Sequence, residues 1–255
     1  MMAKRITVEN LLLSGDSWMA GKKWHEEIFD CRQVTNLSVR GSGNRYIAQS
    51  VMRHIVDNPG LDFVFVNWSG LNRIDIPLPL GVRTEYTDPE AENRTTGTSR
   101  YWTNIMAPWR DRQVKIQIEE RLVRLMYQEK GYTSVKDQSL LNIINLQDFL
   151  KVRQIPYLFC FMYDYANKDF DHSHLTGEAR TEQFSTMGSV DSGHPLLAEL
   201  DRGFCLEPGG MDWALAQEQD YFRDSGHLTD DGYHAWAREM LKYYQTELTG
   251  SKGVL

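Results

Sequence analysis

The sequence predicts an α/β protein: a three-layer α/β/α sandwich around a mostly parallel central sheet, with two long insertions. Three observations lead there. Short wholly apolar runs such as Phe63-Val64-Phe65-Val66 read as strands covered on both faces. Between them lie segments with an apolar residue at every third or fourth position, as on one face of a helix. The two kinds follow one another as strand, helix, strand, helix, strand, helices, strand, an order that builds a parallel sheet with helices on both sides. With 255 residues and 41% hydrophobic content, the chain is long enough for one such domain and short for two. Residues 1–255 are therefore expected to form a single domain.

Ile6 to Leu13 gives the first strand, which stops abruptly in Ser14-Gly15-Asp16-Ser17-Trp18. Trp24, Ile28 and Phe29 recur at helical spacing and predict a short helix over Met19 to Phe29. Val34 to Val39 is the second strand, closed by Arg40-Gly41-Ser42-Gly43. Asn44 is placed to cap a helix running through His54, with Ile47, Val51 and Ile55 on its apolar face and Asn58-Pro59-Gly60 ending it. The third strand spans Leu61 to Trp68 and enters Ser69-Gly70-Leu71-Asn72. From Ile74 to Arg110 periodicity is lost, and the segment is expected to form a long excursion over the site. Val114, Ile118, Leu122 and Leu125-Met126 mark a helix with a cap expected at Lys130-Gly131. Ser139 to Val152, with Leu141, Ile144 and Leu150 apolar, is another. Ile155 to Tyr163 is the fourth strand, its Pro156 near the start where proline is tolerated. The second insertion, about 165–222, carries only a brief apolar patch at Leu196 to Leu200. Thr229 opens the last helix, with Tyr233, Trp236, Met240 and Tyr244 on its buried side, and Gly250 to Leu255 reads as a tail.

Composition narrows the function classes. A formal net charge of -7 argues against a general polyanion-binding surface, so nucleic acid is not an expected partner. The three cysteines, Cys31, Cys160 and Cys205, are widely spaced and make neither a disulfide framework nor a metal knuckle. The apolar run behind Met1-Met2-Ala3-Lys4-Arg5 is too short for a signal sequence, and no run approaches a membrane span, which gives a cytoplasmic expectation. The sequons Asn67-Trp68-Ser69 and Asn93-Arg94-Thr95 are read as accidental. Asp171-His172-Ser173-His174 and His194 raise a metal site, but no third ligand follows at suitable spacing, and the cluster reads as a solvated loop. No metal and no cofactor is expected. Tyr101, Trp102 and Trp109 fit either a substrate wall or core anchors.

The chemistry concentrates at two ends of the chain. In an open α/β sheet, ligands bind beyond the carboxyl ends of the strands, which is where Ser17 falls. Serine after glycine and aspartate is also ordinary turn chemistry. The far end supplies what a nucleophilic serine needs, because Asp224 and His227 lie three residues apart and offer both a base and an acid to fix its tautomer. The alternatives are a loop-holding role for His227 and, for Asp224, a favourable charge at a helix N-terminus. His234 is the nearest rival base, without a preceding acid at the same spacing. The lipase-type Gly-x-Ser-x-Gly elbow is absent, since residue 19 is methionine.

Gly15-Asp16-Ser17-Trp18, Asn36-Leu37-Ser38-Val39-Arg40-Gly41, Gly70-Leu71-Asn72 and Asp224-x-x-His227 occur in the order of the four blocks of the SGNH hydrolases, or GDSL family, and the chain resembles that family from about Leu11 to about Tyr244. The resemblance implies an SGNH/flavodoxin-like sandwich with Ser17 as nucleophile, His227 as base and Asp224 as its orienting acid. It implies an oxyanion hole made of the Ser17 amide, the Gly41 amide and the Asn72 side chain, with Gly41 preferred to Gly43 on its distance from Asn36. The family usually has aspartate after the asparagine. Here Arg73 stands instead, which changes how the loop is anchored and offers a positive charge to an anionic substrate. Asp16 reads as fixing the turn.

The expected activity is ester hydrolysis through an acyl-enzyme. An O-acetyl group on carbohydrate is the first expected substrate on family grounds, with lipid and thioester acyl groups open. One alternative is an acyltransferase using the same serine. Another is a non-catalytic binding or assembly protein on the same fold, in which Ser17 and His227 would stand apart.

Overall fold

The computed structural model describes residues 4–40, 42–71, 73–77, 102–105, 117–163, 190, 193–217, 221 and 227–248. Five strands form the central sheet: β1 (Ile6–Gly15), β2 (Phe29–Asn36), β3 (Phe63–Trp68), β6 (Tyr157–Phe161) and β7 (Cys205–Leu206). Between β3 and β6 in the chain lie β4 (Ile74–Pro77) and β5 (Trp102–Ile105), which pair antiparallel as a separate two-stranded sheet. The helices are α1 (Asn44–Asp57), α2 (Gln117–Val152), α3 (Gly210–Leu215) and α4 (Asp230–Tyr243).

The order in the main sheet is β2-β1-β3-β6-β7, and every pairing in it is parallel. Parallel strands require crossovers, and crossovers are right-handed, so the face a connection covers depends on which way it steps along the sheet. The step from β1 to β2 runs opposite to the steps from β2 to β3 and from β3 to β6. That places α1 and α2 together on one face, and the Trp24–Glu27 turn of 3-10 helix with α4 on the other, matching the contacts of α1 with α2 and of α4 with that turn. The result is an α/β/α sandwich. The crossovers change direction between β1 and β3, and the carboxyl ends of these strands are the switch point at which open α/β sheets form a ligand crevice.

The core follows from the strands. Leu11, Leu12, Leu13 and all of Phe63 to Trp68 and Tyr157 to Phe161 are buried, because they have neighbours on both edges and helices above and below. The first half of β1 pairs only with β2, and its residues alternate between covered and open. Leu140, Ile143, Leu146 and Leu150 form the inner stripe of α2. Among the described residues no helix is long and apolar enough to cross a membrane.

Several boundaries differ from expectation. Met19 to Phe29 is not one helix, since Gly21 takes a φ of 70° that ends the first turn; only Trp24–Glu27 is helical, and β2 already begins at Phe29. As an edge strand β2 leaves Arg32, Gln33 and Val34 exposed, so it lacks the apolar run of a central strand. No cap falls at Lys130-Gly131; α2 continues through it for 36 residues, about 54 Å. One interior glycine costs about 1 kcal/mol, less than restarting a helix whose flanks are good helix formers. Of the apolar residues of this segment, Leu140, Ile143 and Leu150 are buried, while Leu141 is exposed and Ile144 half-buried. The excursion from Ile74 holds β4 and β5, and the second insertion contributes β7 and α3.

Candidate active site

Ser17 follows β1 at the crevice, in a turn organised by Asp16. The Asp16 carbonyl accepts from the Met19 and Ala20 amides at 3.1 and 2.9 Å, and its Oδ1 accepts from the Trp18 amide at 2.9 Å. The turn thereby uses the amides on the far side of Ser17, while the Ser17 side chain, half-buried, points elsewhere. His227 arrives from 210 residues away, and its Nε2 stands 2.7 Å from Ser17 Oγ. That is a short hydrogen-bond distance. In the tautomer that carries its proton on Nδ1, the serine hydroxyl donates to the imidazole.

Packing behind the turn sets this meeting. Trp18 is fully buried, edge-on to Tyr233 at 5.5 Å and to Trp236 at 5.7 Å between ring centroids. Trp24 stacks on Tyr233 at 6.5 Å, lies 5.1 Å from Trp236, and donates its indole N–H to the Trp18 carbonyl at 2.8 Å. Trp236 donates to the Pro208 carbonyl at 3.1 Å. Both Tyr233 and Trp236 belong to α4, which starts three residues after His227. Thr229 caps that helix by accepting from the Gly232 amide at 3.0 Å, and its own amide donates to the Tyr221 carbonyl at 2.7 Å.

The loops after β2 and β3 close on the same turn. Asn44 does not cap α1 with its side chain; it is buried and bonds both ways with the main chain of Ser69, accepting from its amide at 2.9 Å and donating to its carbonyl at 3.1 Å. The acceptor for the start of α1 is instead Asp75 of β4, whose carboxylate takes the Gly43 and Tyr46 amides at 2.7 Å each. Ser42 Oγ donates to the Gly15 and Val39 carbonyls at 3.0 and 2.8 Å. The Arg73 amide donates to the Gly70 carbonyl at 3.2 Å, and Ser139 Oγ holds the Leu71 carbonyl at 2.7 Å.

Arg73 and Asp16 are both buried and form an ion pair, Nη1 to Oδ2 at 2.7 Å. Arg73 is thus an internal anchor, in line with the altered loop anchoring expected of it, and its charge is engaged by Asp16, where a charge for an anionic substrate was the other expectation; Asp16 holds the turn as expected. Burial pushes the pKa of Tyr163, two residues beyond β6, up from its ordinary value, with Arg73 opposing and Asp16 and Asp212 reinforcing that shift.

Of the site residues expected from sequence, Ser17 and His227 are brought together. Gly41, Asn72 and Asp224 lie outside the described residues, as do Tyr101, Trp109, the Trp102 side chain and Asp171-His172-Ser173-His174. The rival His234 faces away, its Nδ1 3.0 Å from Glu27. His194 contacts Asp137 at 2.9 Å through Nε2 and accepts the Leu196 amide through Nδ1 at 3.3 Å, capping the Pro195–Glu199 turn. Among the described residues no group of three His, Cys, Asp or Glu is disposed to hold a metal. Asn67 of the first sequon is fully buried within β3. Sequence reasoning missed Asp75 and Asn44 as loop ties; neither carries a local pattern that marks the role.

Neither a protein-family profile nor a curated protein matches this chain in sequence. Solved structures similar in architecture include a catalytic mutant of an acetylxylan esterase from Geobacillus stearothermophilus, 12% identical, with 94% of this chain and 95% of that one covered and a TM-score of 0.46. They also include a GDSL-like lipase from Bacteroides thetaiotaomicron, 13% identical, with 93% and 88% covered and a TM-score of 0.38. A member of the lipolytic G-D-S-L family from Veillonella parvula is 11% identical, with 95% and 99% covered and a TM-score of 0.37. Likenesses this distant transfer no residue role and no activity.

Proposed function

We propose that this chain is an SGNH-type serine hydrolase that cleaves an ester through an acyl-enzyme. The observation that carries the reading is the 2.7 Å separation of His227 Nε2 from Ser17 Oγ at the carboxyl end of a parallel sheet. A serine hydroxyl becomes a useful nucleophile near neutrality when a base takes its proton during attack. In the proposed sequence, Ser17 Oγ bonds to the carbonyl carbon as its proton passes to His227 Nε2. The imidazolium then returns that proton to the departing alcohol as the ester C–O bond breaks; the neutral imidazole so regenerated next takes a proton from the water that attacks the acyl carbon, and gives it to Ser17 Oγ as the acid leaves.

Asp224 is assigned to the imidazole's other nitrogen, and the Ser17 amide, the Gly41 amide and the Asn72 side chain to the developing oxyanion. Among the described residues the neighbours of these donors are tied down: Ser42 to Gly15 and Val39, Leu71 to Ser139, and Arg73 to Gly70 and Asp16. Donors fixed before the reaction need no reorganisation as charge develops, which is the basis of oxyanion stabilisation. An O-acetyl group on carbohydrate is the proposed first substrate. The separation of Ser17 from His227 that a non-catalytic assembly role called for is not met.

The test is labelling by a fluorophosphonate together with hydrolysis of 4-nitrophenyl acetate and acetylated sugars, for the parent, Ser17→Ala and His227→Ala. The parent is expected to label and hydrolyse, and either substitution to lower turnover on the order of 10⁶-fold. Labelling that survives Ser17→Ala would move the nucleophile elsewhere. Release of acetate that falls when an alcohol acceptor is added, with acyl appearing on the acceptor, would indicate transfer.

A further inference from the structure

The Asp16–Arg73 pair takes no proton in the proposed reaction, yet it is buried beside the serine turn, where solvent contributes little to either charge. Ion pairs in such places are costly to desolvate, and apolar replacements are often as stable, so contribution to stability alone is a weak account of one. What the pair does geometrically is specific. A single nitrogen, Arg73 Nη1, donates to Asp16 Oδ2 at 2.7 Å and to the Ser42 carbonyl at 3.1 Å. Asp16 lies in the loop after β1, Ser42 in the loop after β2, and Arg73 itself in the loop after β3. The second half of the carboxylate is spent on the same task, since Oδ1 takes the Trp18 amide while Oδ2 also takes the Ser69 hydroxyl at 2.9 Å.

We propose that Arg73 is a positioning residue for the reaction at Ser17: its guanidinium pins together the three loops that carry Ser17, Gly41 and Asn72 and so fixes the nucleophile relative to the oxyanion donors. The proposal rests on the hydrolase reading. Ser17 directly follows Asp16, Gly41 directly precedes Ser42, and Asn72 directly precedes Arg73. Each donor-bearing residue is therefore the chain neighbour of a member of the ion pair or of Ser42, which the cation holds. Because both side-chain bonds leave from one nitrogen, an ammonium that reaches the same place can reproduce them, whereas an apolar side chain of similar length reproduces neither.

The experiment compares the parent, Arg73→Lys, Arg73→Met and Asp16→Asn in 4-nitrophenyl acetate kinetics and in hydrogen–deuterium exchange. Arg73→Met is expected to lower kcat about 100-fold, the cost of a misplacement of about 1 Å, while KM stays within about threefold of the parent. Arg73→Lys is expected to recover about tenfold of that loss. Deuterium uptake should rise in peptides spanning 14–20, 39–44 and 69–73 but not in a β3 peptide spanning 61–67. Where Arg73→Met does not fold, Asp16→Asn carries the same expectation, because it keeps the side-chain shape and removes the charge. A folded variant with parental kcat, or one whose uptake is unchanged in the three loops, overturns the proposal. A parent that neither labels nor hydrolyses removes the hydrolase reading instead, and the exchange measurement then decides the pinning by itself.

Discussion

Gly210 opens α3 directly against the serine turn, and replacing it with alanine tests whether Trp18 is as rigidly held as its packing implies. A Cβ at this position would lie 2.5 Å from Trp18 Cζ3 and 3.0 and 3.1 Å from Trp236 Cζ2 and Cε2. Ordinary carbon contacts are about 3.5–4.0 Å, so one ring must retreat by about 1 Å, and each ring blocks the other's retreat. Overpacking of this kind costs about 1–3 kcal/mol. The better helix propensity of alanine offsets at most about 1 kcal/mol, and less at a first helical position. A net loss of about 1–2 kcal/mol lowers the melting temperature by about 2–8 °C for a chain of this length.

The same displacement reaches Ser17 through one peptide bond, so the rate of phosphonate labelling should fall about 100-fold. Thermal melting followed by circular dichroism and labelling kinetics read the two effects separately. Trp18→Phe removes the outer ring that holds Cζ3, and in that background Gly210→Ala should cost less than in the parent, with a coupling of about 1–2 kcal/mol. A Gly210→Ala protein that melts and labels like the parent, or strictly additive costs, would refute the claim that Trp18 is held without slack.

Asp75→Ala removes the acceptor for two buried amides at the start of α1 and is expected to cost about 2 kcal/mol in urea unfolding; Asp75→Asn, which keeps one oxygen, should cost about half, and an unchanged midpoint in both would exclude Asp75 as the cap. His25 is buried, and burial is the largest cause holding its pKa below the usual 6.5. The unfolded chain therefore takes up a proton before the folded one does. This contribution to stability is complete above about pH 6.5 and is lost as pH falls toward the depressed folded value. His25→Gln should narrow the gap between melting temperatures at about pH 7.5 and about pH 5.5, and a gap as wide as the parent's would show that other groups carry the acid sensitivity.

What was legible in the sequence follows the physical range of each signal. β3 and β6 are buried on both faces, so their composition alone reveals them, and the residues just beyond β1 and β3 could be placed at the crevice without knowing any contact. Edge strand β2 was expected only from Val34 onward, because an exposed edge is selected for polarity and its apolar positions no longer mark its start at Phe29. β7 is two residues long and has no period to detect; it exists because Cys205 and Leu206 meet β6 in register. In the site, Asp16 and Arg73 were each noticed singly, one as a turn residue and one as a departure from the family pattern. Their pairing across 57 residues depends on β1 and β3 being neighbours, which no local window contains. Asp75 was invisible for the same reason, since an acceptor supplied from β4 leaves the start of α1 looking capped by Asn44.

The distance between Ser17 and His227 is governed by packing more than by charge. Two kinds of contact fasten α4 to the segment after β1. At the surface Lys22 meets Asp230 at 2.9 Å, and Glu27 receives His234 and Arg238 at 3.0 and 3.3 Å, with Asp230 and Arg238 exposed and the other three half-buried. Such pairs are worth about 0–1 kcal/mol each and weaken with salt. Beneath them four ring contacts join Trp18 and Trp24 to Tyr233 and Trp236, each worth about 0.5–1.5 kcal/mol beyond the area it buries. The rings have few rotatable bonds and no room to slide, so they fix position where the surface charges only favour it. The two ends of the chain therefore hold their 2.7 Å contact as neighbours of one aromatic cluster, and the geometry proposed for catalysis is inherited from the core.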